Sequence, residues 1–136
     1  MIDVLKNYAE NLTIIYTADQ EMGQYQYLMD IGKKSSTFLK KEQSEQNKMY
    51  GCMAQVWVIM EKRNDKFYFR GDSDAAIVKG LVSIITEAMS GHTSHEIKNI
   101  KHNIVDQLGL GPGLPLRRQV GMMAMIDHIK KLSGTN

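Results

Sequence analysis

Cys52 is the only cysteine among 136 residues and the one side chain suited to nucleophilic sulfur chemistry. It lies in Met49-Tyr50-Gly51-Cys52-Met53-Ala54-Gln55-Val56-Trp57, and the strand-like run Gln55 to Met60 begins three residues after it. The spacing therefore predicts a sulfur at a loop-to-strand junction, where a rigid sheet edge aims a side chain. A lone cysteine is more often a small buried hydrophobe, so this position alone does not establish reactivity. It does exclude an internal disulfide framework and a four-cysteine metal site. The thiolate is the reactive form and makes up only roughly a few per cent of a free thiol at neutral pH, so a nearby cation would favour it, and Lys79 and Arg118 are the two candidates if the fold brings either near Cys52.

The other residues with chemical potential have simpler roles. His92 and His95 are three residues apart, but His95 falls inside the capping box Thr93-Ser94-His95-Glu96. With no acidic or cysteine partner at ligand spacing, no metal site is expected. His92 and His128 read as polar surface groups. A cysteine hydrolase needs a histidine beside the thiol and a group to orient it, and the spacing of the four histidines, His102 included, points to none. Asp72 and Asp74 have the composition of an acid/base pair, but helix capping explains both. The methionines, Met22, Met29, Met89 and Met125 among them, are expected to fill gaps in the core. Tyr50 and Trp57 flank the cysteine; core packing is their default role and partner contact the sharper one. Gly109 to Gly113 follows a helix rather than a strand, which argues against a phosphate loop.

The elements that must position these residues follow from periodicity. Leu5, Tyr8, Ala9, Leu12, Ile15 and Tyr16 predict an amphipathic helix over residues 2–15. Thr17 to Gln20 offers a cap for a second helix, with Met22, Tyr25, Leu28 and Met29 on one face and a left-handed end at Gly32. Lys33 to Lys48 reads as a polar surface connection anchored by Phe38 and Leu39. Gln55 to Glu61 and Lys66 to Arg70 are strands joined by the turn Lys62-Arg63-Asn64-Asp65, with Met49-Tyr50 as a short third strand. Asp72-Ser73-Asp74 is expected to open a central buried helix, Ile77 to Met89. Gly80 inside that helix costs about 1 kcal/mol relative to alanine, which implies close packing there. Short helices are expected at the capping box and around Asn103 to Leu108. Arg117-Arg118 opens the last helix, with Val120, Met122, Met125, Ile126, Ile129 and Leu132 inward, Lys130 and Lys131 at its C-terminus, and Gly134 ending it. The fold class expected is α+β: a small antiparallel three-stranded sheet covered by helices, with Cys52 on a loop at the sheet's edge.

Length predicts one domain over residues 1–136. The formal charge of +2 is spread over interspersed acidic and basic residues, which gives no reason to expect a nucleic-acid or membrane-surface partner. The N-terminus lacks a signal-like apolar stretch, and no apolar run reaches membrane-spanning length. A cytoplasmic protein in a reducing compartment is expected, so the acceptor-like Asn11-Leu12-Thr13 is a chance match.

Tyr50 to Trp57, followed at a hairpin's distance by Gly71-Asp72-Ser73-Asp74-Ala75-Ala76-Ile77-Val78-Lys79-Gly80-Leu81, resembles the SufE family of cysteine-desulfuration proteins. Gln46-Asn47, Tyr25-Gln26-Tyr27-Leu28 leading to Gly32, and Arg118 before Gly121 support the resemblance, which covers roughly residues 17–130. It implies a SufE/NifU-like two-layer fold and a carrier that takes sulfur from a pyridoxal-phosphate-dependent cysteine desulfurase, SufS- or CsdA-like, and stimulates it. The sulfur rides as a persulfide on Cys52 and passes to an iron–sulfur assembly scaffold. No cofactor is expected on this chain, since pyridoxal phosphate belongs to the desulfurase, and no stand-alone catalysis. The family's glutamine, aspartate, lysine and arginine positions fall on Gln55, Asp74, Lys79 and Arg118. Ala54 stands where the family usually has serine, and the aromatic residue usual shortly before the Tyr25 position is missing. Pro115 lies three residues before Arg118 instead of two, which leaves Arg117 and Arg118 both open for the arginine role. A single cysteine suits carriage, because a second thiol would attack the persulfide and release sulfide. The rival expectations are an interaction module that binds a desulfurase without carrying sulfur, and a cysteine hydrolase.

Overall fold

The computed structural model describes residues 2–35, 38–51, 53–101 and 116–134. The elements in chain order are α1 (Ile2–Lys34), β1 (Lys48–Met49), β2 (Val56–Arg63), β3 (Lys66–Ser73), α2 (Ala76–Met89), β4 (His92–Thr93), α3 (Ser94–Lys98) and α4 (Leu116–Leu132). The strands form one antiparallel sheet in the order β1-β2-β3-β4. The α+β class and the helix-covered antiparallel sheet are as expected. The fourth strand is not: two residues paired to Lys66 and Phe67 are too short to leave an alternating signature.

β2 and β3 pair along their full length, from Val56↔Ser73 to Arg63↔Lys66. The turn between them is only Asn64-Asp65, and Asn64 takes the left-handed φ of 59° that such tight turns require. Alternation along the strands sends Val56, Val58, Phe67 and Phe69 into the core, where α2 lies against them. Gly71 makes that approach possible, since a Cβ there would stand 2.6 Å from Val82 Cγ2. α2 is the central buried helix that its composition predicts. At its end, Ser90 Oγ accepts the Phe69 amide at 2.9 Å and so fixes the helix to β3.

α1 covers the other side of α2. A Cβ on Gly80 would overlap the Leu28 carbonyl, so the close packing inferred from this glycine is present. Gly32 does not end the helix. It is helical, and a Cβ on it would stand 3.0 Å from the Gly80 amide nitrogen; the expected left-handed cap is instead a second point of close approach. Within α1 the chain breaks at Gln20, so the two expected helices are both present, joined without a loop.

The connection after α1 contains two short 3-10 turns, Lys40–Glu42 and Glu45–Asn47. Glu42 and Arg70 form a two-pronged ion pair at 2.8 and 3.0 Å, which clamps this connection to β3. In α4, Met122, Met125, Ile126 and Ile129 are buried as expected, whereas Val120 and Leu132 are exposed. Met22, expected in the core, is also exposed. The capping box Thr93/Glu96 is present, and Gly134 ends α4 at a φ of 75°. The expected helix at 103–108 and the glycine-rich loop at 109–113 lie outside the described residues. Among the described residues no helix is long and apolar enough to cross a membrane.

Candidate functional site

Cys52 itself lies outside the described residues, but the residues on either side of it are fixed. Upstream, β1 pairs with β2 through Lys48↔Trp57 and Met49↔Val56, so Tyr50, Gly51 and residues 53–55 belong to the connection of a β-hairpin on the edge strand. Gly51 takes a φ of 107°, and a Cβ there would stand 3.3 Å from the Ala124 Cβ on α4. Glycine is required for that conformation and eases the approach to the helix. Tyr50 and Met53 point outward at 70% and 92% exposure, while Trp57 is buried. The default packing role therefore holds for Trp57 and fails for Tyr50. The Tyr50 hydroxyl donates to Glu45 at 2.7 Å, which raises the phenol's pKa above its ordinary value and keeps it neutral.

The downstream end is tied to the start of α2. Asp74 accepts the Gln55 amide at 3.0 Å and its side-chain Nε2 at 3.3 Å, while the Gln55 carbonyl accepts from Ser73 Oγ at 2.7 Å. Of the expected site residues, Gln55 and Asp74 are thus brought into direct contact. The capping role expected for Asp72 and Asp74 is not realised. β3 runs on to Ser73, the residue before the first helical turn is Ala75, and no side chain caps it.

Asp72 has a different role. The residue is 4% exposed, and its carboxylate lies 3.4 Å from Lys79 Nζ and accepts a hydrogen bond from Gln43 Nε2 at 2.9 Å. A buried carboxylate needs such partners to remain charged. Lys79 is therefore engaged by Asp72 rather than by Asp74. Sequence reasoning missed Gln43 and misread Asp72, because their partners lie 29 residues apart in the chain and leave no local pattern.

Beside the loop is an apolar cavity of about 310 Å³, walled by Met53, Ala54, Ala75, Val78, Leu81 and Met125, with Gly121 and Arg118 on α4. Arg118 is the charged residue of this lining among the described residues. The Arg117 side chain lies outside the described residues. Apolar walls beside a cation suit a small polarisable group that becomes anionic, since low polarity strengthens the attraction of the guanidinium.

The histidines do not gather at this loop to the extent that they are described. His92 and His95 sit at β4 and α3, and β4 borders β3 on the side away from β1. His92 Nδ1 lies 3.5 Å from Glu96, and His95 Nε2 faces Asn99 at 3.3 Å. His128 is half-buried, and burial, then Lys131, pushes its pKa below the ordinary value. Among the described residues no three His, Asp or Glu side chains come together in a way that could hold a metal ion.

A family model described as "SufE: Fe-S metabolism associated domain" matches residues 10–133. An uncharacterized SufE-like protein of Rhizobium meliloti is 33% identical over 117 residues, covering 82% of this chain and 84% of its own. One from Rhizobium etli is 32% identical over 112 residues, covering 79% and 76%, and one from Synechocystis is 32% identical over 97, covering 71% and 61%. With a family model spanning nearly all of its length and such relatives beside it, the chain belongs to the SufE family, whose domain is associated with iron–sulfur metabolism.

Proposed function

We propose that this protein is a sulfur carrier whose cargo site is Cys52. The supporting observation is a hairpin connection, Tyr50, Gly51 and residues 53–55, anchored at both ends and outward-facing on each side of the chain's only cysteine. The donor is a cysteine desulfurase of the SufS or CsdA type, which carries the pyridoxal phosphate; this chain binds no cofactor of its own. The Cys52 thiolate attacks the outer sulfur of the donor's persulfide. That S–S bond breaks as a new one forms to Cys52, and the donor leaves as a thiolate, so no outside oxidant or reductant is needed. Taking the sulfur away also stimulates the desulfurase.

Gln55 and Asp74 hold the downstream end of the loop, and Lys79 with Asp72 fixes the first turn of α2 beneath it. Arg118 is a cation beside the cavity, and it or Arg117 takes the family's arginine role. It would favour the anionic thiolate and persulfide over their protonated forms. With no second thiol in the chain, the sulfur leaves only to another protein, here an iron–sulfur assembly scaffold in a reducing, cytoplasmic compartment. Neither nucleic acid nor a membrane is a partner in this reading.

The test is incubation with a SufS-type desulfurase and cysteine, followed by mass spectrometry of the peptide holding Cys52. The expected gain is one sulfur atom, removable by a thiol reductant, with both the gain and the stimulation lost in Cys52→Ser. Stimulation without any gain, preserved in Cys52→Ser, would instead establish an interaction module and overturn the carrier reading.

A further inference from the structure

Two large apolar side chains flank Cys52 in the chain, and neither is buried in the fold. Met53 is the most exposed large hydrophobe among the described residues, at 92%, and Tyr50 is 70% exposed. Single exposed hydrophobes are ordinary, but these two stand on a frame that fixes where they are presented. Gly51, the residue after Tyr50, takes its left-handed φ of 107° against Ala124 of α4. The Tyr50 hydroxyl donates to Glu45 at 2.7 Å, while Lys48 Nζ lies 5.5 Å from the ring centre and 3.9 Å from the same carboxylate. A ring held in this way has little freedom left to lose when a second protein covers it. Met53 has the opposite property, a flexible thioether chain able to follow an uneven surface. It also borders the cavity, so its exposed surface runs on into the apolar wall of Ala54, Ala75 and Val78.

Sulfur carriage adds a constraint of distance. As sulfur passes, the Cys52 thiolate comes within about 2 Å of the atom it attacks. Met53 is the next residue and Tyr50 is two residues away, within about 7 Å of extended chain. A specific interface takes in roughly 20–30 residues a side, so both lie inside the footprint of the sulfur donor. The described charged groups around the loop, Glu45, Lys48, Asp74 and Arg118, are two of each sign. They leave no net charge to steer a partner.

We propose that Tyr50 and Met53 are docking residues that select the desulfurase this chain accepts, and that the donor meets them with an apolar surface beside its persulfide. The proposal rests on the carrier reading and names the chemistry of the partner's contact surface. Tyr50 supplies a fixed aromatic plate on one side of the thiol and Met53 an adaptable apolar contact on the other. A donor with a charged or strongly polar rim has to strip water from that rim against two groups that offer it no hydrogen bonds in return, and is refused.

The test follows the rate of sulfur loading by a fixed amount of a SufS-type desulfurase as the concentration of this chain is raised. Tyr50→Ser and Met53→Ser should each raise the half-saturating concentration roughly tenfold, with the maximal rate within about twofold of wild type. Tyr50→Phe, which keeps the ring and loses the hydroxyl, should stay within about threefold of wild type. Met22→Ser, which removes a 79% exposed side chain on α1, is the control and should change nothing. Wild-type half-saturation should move less than roughly threefold between about 0.05 and 0.5 M salt. Serine variants that dock normally, a Tyr50→Phe chain as weak as Tyr50→Ser, or steep weakening of the wild type in salt would overturn the proposal. So would normal loading with impaired delivery to a scaffold, which assigns the pair to the sulfur acceptor instead. A wild-type chain that gains no sulfur at any concentration is a different failure, that of the carrier reading itself, and the proposal falls with it.

Discussion

A single carboxylate, Asp74, accepts two hydrogen bonds from Gln55 and so fixes the downstream end of the loop that holds Cys52. Hydrogen bonds to a charged acceptor are the stronger kind, but Asp74 is exposed and water competes for them. Asp74→Ala should therefore cost only about 1 kcal/mol and leave the fold intact. The Gln55 amide and its neighbours in the loop should then exchange with solvent roughly ten times faster, with Asp74→Asn in between. Unchanged protection in Asp74→Ala would mean that the tie does not restrain the loop. At this scale a motif names candidates without their surroundings: Cys52, Gln55, Asp74, Lys79 and Arg118 stand out in the sequence, and the structure adds that Gln55 meets Asp74, that Lys79 pairs with Asp72 and that Arg118 lines the cavity. The partner of each was harder to read. Capping is a local interaction and therefore the first explanation for Asp72 and Asp74, whereas Gln55 and Gln43 reach them from 19 and 29 residues away.

Elements were legible where their hydrophobic period was long. Both halves of α1, the hairpin β2–β3, α2 and α4 follow from it, while two-residue β4 and the 3-10 turns after α1 carry too few residues to show a period. The connection around those turns read as a polar surface loop, but it is clamped. Arg70 donates to both oxygens of Glu42 and lies 5.5 Å from the centre of the Phe38 ring. The Arg70 guanidinium, helped by the Leu39 amide, lowers the Glu42 pKa from 4.5 to about 2. A carboxylate depressed on folding adds stability that is complete above its unfolded value and disappears as pH falls through its folded one. The clamp should thus contribute fully above about pH 4.5 and be lost by about pH 2. Thermal melts of wild type and Glu42→Gln should differ at neutral pH and converge across that window. A gap that persists at pH 2 would assign the difference to packing instead of charge.

For the molecule as a whole, the placing of the site depends on how closely three elements stack, and glycines set that distance. Gly71 lets α2 onto the sheet, and Gly80 with Gly32 lets α1 onto α2. The residues beside Gly80 on α2 serve the site directly: Lys79 pairs with Asp72, while Val78 and Leu81 wall the cavity beside the loop. A methyl group on Gly80 has to displace backbone at Leu28, which cannot rotate away as a side chain can. Gly80→Ala should therefore lose more than about 3 kcal/mol despite alanine's better helix propensity, because overlap with a main-chain carbonyl outweighs a gain of about 1 kcal/mol. Gly32→Ala meets the Gly80 amide nitrogen at 3.0 Å and movable Lys79 carbons at 3.1 and 3.2 Å, so its loss should be smaller. Urea midpoints for the two variants, compared with the proposed stimulation of a desulfurase, separate stability from placement. Stimulation should fall faster than the folded fraction in Gly80→Ala, since a shifted α2 moves the cavity wall as well as the core, and a Gly80→Ala chain as stable as wild type would show that α1 can stand off without loss.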